Sequence, residues 1–355
     1  MANSKPTLTR FKDAMQRVYG PFDGLTVDEA SNWSPPEVPG AGGHRGRYLW
    51  TDAFGVVNFL TLYKETGNPV YVELAKSLVR TVHDVLGRTR DGKARLPGAT
   101  DDAPLKGGLR IGKIDAEGAD GDGQYHHYLT LWMFALNRLS VSTADERYNN
   151  LAIQLAKAIH PHFIYTTVSR SLAMVWKVST DLRRVLVGSE GHLDAATGYV
   201  VYSLLQRTAS RLNYSFVPHS LATEIDEYWQ IMNRNDQRTI SPSSDALDLG
   251  MGLWMCHLAG NELWAKTLGE ESLSMAHRIV SPERGFIARS AGQRLAFREF
   301  GFCLGIQCYG RDRFLAHKVD DVVQFWDENP EAFADKDLGP ISSVMHAAAL
   351  KPGGK

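Results

Sequence analysis

The chain has 355 residues, 43% of them hydrophobic, enough to bury a large core as one big domain or two ordinary ones. Lys and Arg number 39 against 40 Asp and Glu, a formal charge of -1, which excludes the positive field that gathers nucleic acid or anionic lipid. Residues 1–17 hold no apolar core segment and no later run reaches membrane-spanning length, so neither nucleic acid nor membrane is expected as a partner and the expected location is the cytoplasm.

In chain order, residues 6–19 read as an N-terminal helix and the Gly- and Pro-rich residues 34–46 as a loop. Its Gly40-to-Gly46 tract follows no strand and lacks the Lys-Ser/Thr ending of a phosphate cradle, which leaves a flexible entrance loop. From Asp52, residues 53–63 are apolar on nearly every side, as in a helix surrounded by protein, and the run stops at Thr66-Gly67-Asn68-Pro69. Residues 70–86 follow with Val72, Ala75, Val79, Val82 and Leu86 on one face and Glu73, Lys76, Arg80 and Asp84 on the other. A wholly apolar helix joined by a short turn to an amphipathic one is a helical hairpin with its first member inside.

The polar stretch 88–123 is a long loop, of a length that marks a lid, a binding segment or a mobile region. The hairpin pattern then recurs: 127–139 inside with 147–160 outside; an inner run from Asp194 to Leu205 with 221–232 outside; an inner run from Asp245 to Leu258 with 264–280; and an inner run from Arg298 to Cys308 with 312–326. Residues 342–350 resemble an inner helix whose partner is the N-terminal helix, which would close the ring. Short extended pairs, 163–165 with 174–177 and 285–288 with 295–297, predict small β-hairpins on the rim. The expected fold class is all-α, an (α/α)6 toroid of helical hairpins in a single domain over 1–355, with 1–46 as helix and entrance loop and 47–350 as hairpin repeats.

Gly55, Gly198, Gly250, Gly252, Gly301 and Gly305 fall in inner helices, where each costs about 1 kcal/mol relative to Ala; close backbone approach is the expected compensation. The three cysteines, Cys256, Cys303 and Cys308, lie in apolar runs without zinc-site spacing and read as buried thiols. The glycosylation-type triplets at Asn32 and Asn213 are chance occurrences without a secretory signal.

Parallel inner helices bring their N-termini, and the positive ends of their dipoles, to one end of a pocket. The residues at these starts are Trp50 and Asp52; Asp122, Gln124, Tyr125, His126 and His127; Glu190, His192 and Asp194; Ser243, Ser244, Asp245 and Asp248; Arg298 and Glu299; and Ser342, Ser343 and His346. Asp at a helix start is a favoured N-cap, but capping does not account for the aromatic rings and imidazoles beside it. The Asp- and Gly-rich segment 115–123 departs from the EF-hand spacing, so no metal is assigned, and no dinucleotide, Walker or nucleophile-elbow motif implies a cofactor.

Over residues 48–350 this alternation, with Arg47-Tyr48-Leu49-Trp50-Thr51-Asp52-Ala53-Phe54-Gly55 and Asp122-Gly123-Gln124-Tyr125-His126-His127-Tyr128 as its strongest segments, resembles the six-hairpin glycosidase superfamily. The resemblance implies a carbohydrate or polyol-like substrate, either a small molecule or an oligosaccharide. A glycoside hydrolase needs two carboxyl groups roughly 5–10 Å apart, which Asp52 paired with Asp122, Asp194 or Asp245 would supply. The expected catalytic residues are Asp52, Asp122, His126 and Asp194, and the expected substrate-binding residues are Trp50, Gln124, Tyr125, His127, His192, Asp245, Arg298 and Glu299. The alternatives are an epimerase or lyase with His126 or His192 as the proton-transferring base and Arg298 on a substrate carboxylate, a terpenoid-type cyclase, or a non-catalytic binding scaffold.

Overall fold

The computed structural model describes residues 6–118, 120–211, 220–234, 240–281, 285–310 and 312–353; the triplet at Asn213 lies outside them. In chain order the elements are α1 (Thr7–Tyr19), α2 (Val27–Ser31), α3 (Leu49–Thr66), α4 (Val70–Val85), β1 (Gln124–Tyr125), α5 (His126–Thr143), α6 (Glu146–Phe163), β2 (Ile164–Thr166), β3 (Leu172–Met174), β4 (Lys177–Val178), β5 (Val185–Val187), α7 (Asp194–Arg211), α8 (Ala222–Met232), α9 (Ala246–Ala259), α10 (Leu263–Ile279), α11 (Ala296–Tyr309), α12 (Arg313–Asp327) and α13 (Gly339–Leu350). Among the described residues the fold is all-α apart from five short strands, and none of the described helices is long and apolar enough to cross a membrane. It divides into two compact units, the described residues of 21–239 and those of 1–20 with 240–353.

The first unit holds three hairpins, α3–α4, α5–α6 and α7–α8, with α5 packed beside both α3 and α7. In α3 every residue from Leu49 to Leu62 is buried, whereas α4 buries Val72, Ala75, Val79 and Val82 and leaves Arg80 and Asp84 to solvent. This is the inner and outer pairing that the apolar patterns predict. Gly67 ends α3 in the left-handed region, at φ 68°, where glycine carries no Cβ penalty, and its N–H returns to the Tyr63 carbonyl. Among the helices of this unit α2 was not foreseen: it is a single turn nucleated by a capping box, in which the Thr26 hydroxyl accepts the Glu29 N–H and the Glu29 carboxylate accepts the Thr26 N–H.

The long stretch expected over 88–123 is anchored at several of its described residues. Leu96, Leu105, Leu109 and Ile111 are buried, and the Asp122 carboxylate gathers Arg90, Arg110 and the backbone N–H groups of Gly112, Lys113 and Gly123. The Gly40-to-Gly46 tract likewise packs where a flexible loop was expected. A Cβ on Gly43 would stand 2.2 Å from the Arg47 carbonyl oxygen and 2.4 Å from that of Gly112, so the glycines serve backbone-to-backbone approach.

Two small antiparallel sheets complete this unit. β2 pairs with β3 in the predicted hairpin, with Tyr165 opposite Ala173. β1, β4 and β5 form a three-stranded sheet in which Tyr125 faces Lys177 and Lys177 faces Val187. Because β1 runs directly into α5, this sheet sets where His126 and His127 begin.

The second unit pairs α9 with α10, α11 with α12 and α13 with α1, and α11 lies between α9 and α13. The N-terminal helix therefore does serve as the partner of the last inner helix. The contact between α9 and α11 is glycine-mediated: a Cβ on Gly250 would meet the Gly301 carbonyl oxygen at 2.1 Å, and one on Gly305 would meet the Gly250 carbonyl oxygen at 2.1 Å. All three cysteines are buried, Cys256 in α9 and Cys303 and Cys308 in α11. The second expected β-hairpin does not form. Residues 286–288 and 291–293 make single 3-10 turns, with the Arg289 N–H bonded to the Phe286 carbonyl at 3.0 Å, and α11 already starts at Ala296. Local i-to-i+3 bonds satisfy this backbone, and the buried Arg294 beside it pairs with Glu299 of α11 instead of taking a strand partner.

Candidate active site

The four acidic helix-start residues proposed to act together have four different surroundings. Asp52 is fully buried in the first turn of α3, where it accepts Arg47 Nη1–H at 2.9 Å on one oxygen and the Tyr48 backbone N–H at 3.2 Å on the other. Arg47 is itself fully buried and also donates to the Pro36 carbonyl. The carboxylate thus ties the loop before α3 to the first turn of that helix. Asp122, also buried, accepts Arg110 at 2.6 Å and Arg90 at 2.9 Å beyond its three backbone donors. Its oxygens are occupied by the loop they hold, and Gln124 does similar work, accepting the Leu109 N–H and donating to the carbonyls of Gly107 and Thr180.

Asp194 has different neighbours. It opens α7, is buried, and its carboxylate lies 4.0 Å from His126 Nδ1 and 3.8 Å from His127 Nδ1. A Cβ on Gly191 would come within 2.5 Å of the same carboxylate, so the turn before α7 fits it only with glycine there. His192 sits exposed on that turn.

The two imidazoles differ. His126 is fully buried, and its Nε2 lies 2.6 Å from the Tyr228 hydroxyl. Burial, with His127 and His160 nearby, drives its pKa well below the usual histidine value, so the ring is neutral at pH 7. Its Nδ1 makes no hydrogen bond and lies 4.0 Å from the Asp194 carboxylate. Tyr228 reaches it from the outer helix α8, and Gly198 of α7 makes room: a Cβ there would stand 2.4 Å from the tyrosine ring. The Tyr228 ring also meets His160, whose Nε2 lies 2.6 Å from the Glu227 carboxylate.

His127 is about a quarter exposed and lies within a set of rings. Its Nδ1 accepts the Trp176 indole N–H at 2.9 Å, and desolvation lowers its pKa, so it too is neutral. Tyr125 stacks on Trp176 at 5.3 Å between centroids and 9° between planes, and on His127 at 5.4 Å. Trp50 stands 6.0 Å from His127 and 5.3 Å from Tyr128, whose hydroxyl lies 2.7 Å from that of Tyr48. Burial pushes the Tyr48 phenol up to about 12. The structure thus joins Trp50, Tyr125, His126, His127 and Asp194 in one place and gives Asp52, Asp122 and Gln124 to the frame around it.

Trp176, Tyr128 and Tyr228 belong to this cluster and were not picked out from the sequence. Trp176 falls within what reads as a plain β-hairpin, and Tyr228 lies on the apolar stripe of an outer helix, where a core role is the default reading.

Asp245, Arg298 and Glu299 lie in the second unit. Asp245 caps α9, accepting the N–H groups of Leu247 and Asp248, and pairs with Arg298. Glu299 takes a two-pronged bond from Arg294, at 2.8 and 2.6 Å, and the Trp326 indole N–H at 2.8 Å; burial still pushes its carboxyl up. All three line a cavity of about 320 Å³. Among the described residues no group of three or more His, Cys, Asp or Glu side chains converges on a metal position.

Solved structures match nearly the whole chain. An α-mannanase of glycoside hydrolase family 76 from Bacteroides thetaiotaomicron superimposes with a TM-score of 0.56 at 8% identity, covering 98% of this chain and 96% of that one. The chain shares with this structure the fold of an (α/α)6 toroid. A second family 76 glycoside hydrolase, from a bovine strain of the same species, gives 0.55 at 12% identity over 97% of this chain and 76% of that one. A sugar epimerase from a ruminal bacterium gives 0.54 at 12% identity over 96% and 99%. No protein-family model and no curated relative matches the sequence. At these identities the likeness establishes the toroid fold, and function rests on the site itself.

Proposed function

We propose that this chain is a carbohydrate-active enzyme whose acid–base centre is Asp194 with His126 and His127. The observation that carries the reading is one buried carboxylate 3.8 and 4.0 Å from two neutral imidazoles, beside a stack of Trp and Tyr rings. Aromatic faces bind the apolar faces of sugar rings, and a carboxylate in a dry site beside imidazoles can take up and return a proton. The toroid fold, shared with the sugar epimerase and the α-mannanase, agrees with this substrate class.

Proton transfer at a sugar carbon, the chemistry of an epimerase or isomerase, is favoured over glycoside hydrolysis. Hydrolysis calls for two available carboxyl groups. In the first unit Asp52 and Asp122 are engaged by guanidinium and backbone donors, which leaves Asp194 as the carboxylate next to the imidazoles. In this reading Asp194 is the proton-transferring group, His127 offers its Nε2–H to a sugar oxygen, and His126, locked by Tyr228, positions Asp194. The test is incubation with a panel of reducing mono- and disaccharides in D2O, followed by NMR. Deuterium entering a carbon-bound position, lost in Asp194→Asn with melting temperature within a few degrees of wild type, is the expected result. Release of free sugar from a glycoside without carbon-bound deuterium would replace this reading with hydrolysis.

A further inference from the structure

The second unit carries four arginines around its cavity, Arg278, Arg289, Arg294 and Arg298, against two carboxylates, Asp245 and Glu299. Each carboxylate is already matched. Glu299 is held on both oxygens by the buried Arg294, whose guanidinium also lies 3.7 Å from the centre of the Phe325 ring, and Asp245 pairs with Arg298. Arg278 and Arg289 have no carboxylate partner among the described residues. The Arg289 charge is nonetheless felt at the Glu299 carboxyl, so it stands within electrostatic reach of the lining.

Among the described residues the two guanidinium groups without a carboxylate partner leave a charge of two, and a phosphate monoester carries about -1.5 to -2 at neutral pH, whereas a single carboxylate would leave one cation unanswered. A volume near 320 Å³ exceeds what a bare oxyanion fills and suits a phosphate attached to a ring of monosaccharide size. Phe286, half-buried on the cavity wall, offers such a ring an apolar face. We infer that this cavity is a binding site for a phosphate monoester, with Arg278 and Arg289 holding the phosphate and the fixed Arg294–Glu299 pair forming its floor. The lining residues belong to the second unit and share none with the Asp194 cluster, and the test reads binding rather than turnover, so either assignment fails without the other.

The measurement is isothermal titration of the full chain with a hexose 6-phosphate, the unphosphorylated hexose and inorganic phosphate, on wild type, on the Arg278→Gln/Arg289→Gln double variant and on Arg183→Gln/Arg184→Gln. The last pair removes two exposed charges from the first unit as a control for surface charge. The expected result is binding of the hexose phosphate that weakens at least tenfold in R278Q/R289Q and stays within twofold in R183Q/R184Q, with melting temperatures close to wild type throughout. Equal binding of inorganic phosphate would support the same site with free phosphate as its ligand. No binding of either phosphate at millimolar concentration, or equal loss in both double variants, would overturn the assignment.

Discussion

The Trp176 indole N–H donates to His127 Nδ1, and this one bond decides which nitrogen of the imidazole meets a ligand. With Nδ1 accepting and the ring neutral, the ring's own proton sits on Nε2. His127 therefore presents a donor, not a base, to whatever enters beside it.

Trp176→Phe keeps the stack on Tyr125 but removes the donor. Nitrogen-15 NMR of the His127 side chain should show the Nε2–H tautomer alone in wild type and a mixture of tautomers in W176F. Once a substrate is in hand, kcat should drop about tenfold while KM stays within a fewfold, because the ring face remains. A single unchanged tautomer in W176F would show that Trp176 does not position His127.

Asp122→Asn discriminates a frame residue from a catalytic one. The substitution leaves Arg110, buried and facing the lost charge, without its partner, and breaking a buried pair costs about 3–5 kcal/mol. The denaturation midpoint should fall clearly. A variant as stable as wild type yet inactive would return Asp122 to the catalytic set.

Gly198→Ala inverts the usual rule. In the interior of a helix, Ala is about 1 kcal/mol better than Gly, yet here the new methyl would press on the Tyr228 ring. Overpacking of this kind costs about 1–3 kcal/mol, and the displaced Tyr228 hydroxyl would leave His126 Nε2. G198A should therefore melt below wild type. A higher melting point would mean that the ring has space to spare.

His83 predicts a dependence on pH. It is buried against Trp132, whose indole N–H donates to its Nε2 at 3.1 Å, and burial lowers its pKa to about 3. Since the unfolded ring titrates near 6.5, the unfolded chain takes up the proton first. The stabilisation is complete above about pH 6.5 and is lost as the pH falls from there toward 3, at about 1.4 kcal/mol per unit. Buried His126 adds to the same slope. Thermal unfolding between pH 7.5 and 5 should show stability dropping with acid and a shallower drop in His83→Phe, even though that variant is weaker at neutral pH for want of the Trp132 acceptor. Equal slopes in the two proteins would remove His83 as a cause.

The apolar runs beginning at Ala53, Leu129 and Leu247 determined by themselves that these helices would be inner ones, because a helix without a polar face has to be covered on all sides. The glycines at 198, 250, 301 and 305 likewise announced close packing, since their helix cost called for compensation. What the linear pattern left open was which polar helix-start residue would keep an exposed or reactive face. Asp52, Asp122, Asp194 and Asp245 look alike as acidic residues at helix starts, yet Arg47 and Arg110 reach the first two, two imidazoles the third and Arg298 the fourth. The environment of a carboxylate depends on cations and rings brought in from 5 to 68 positions away, and only the tertiary fold sets those distances.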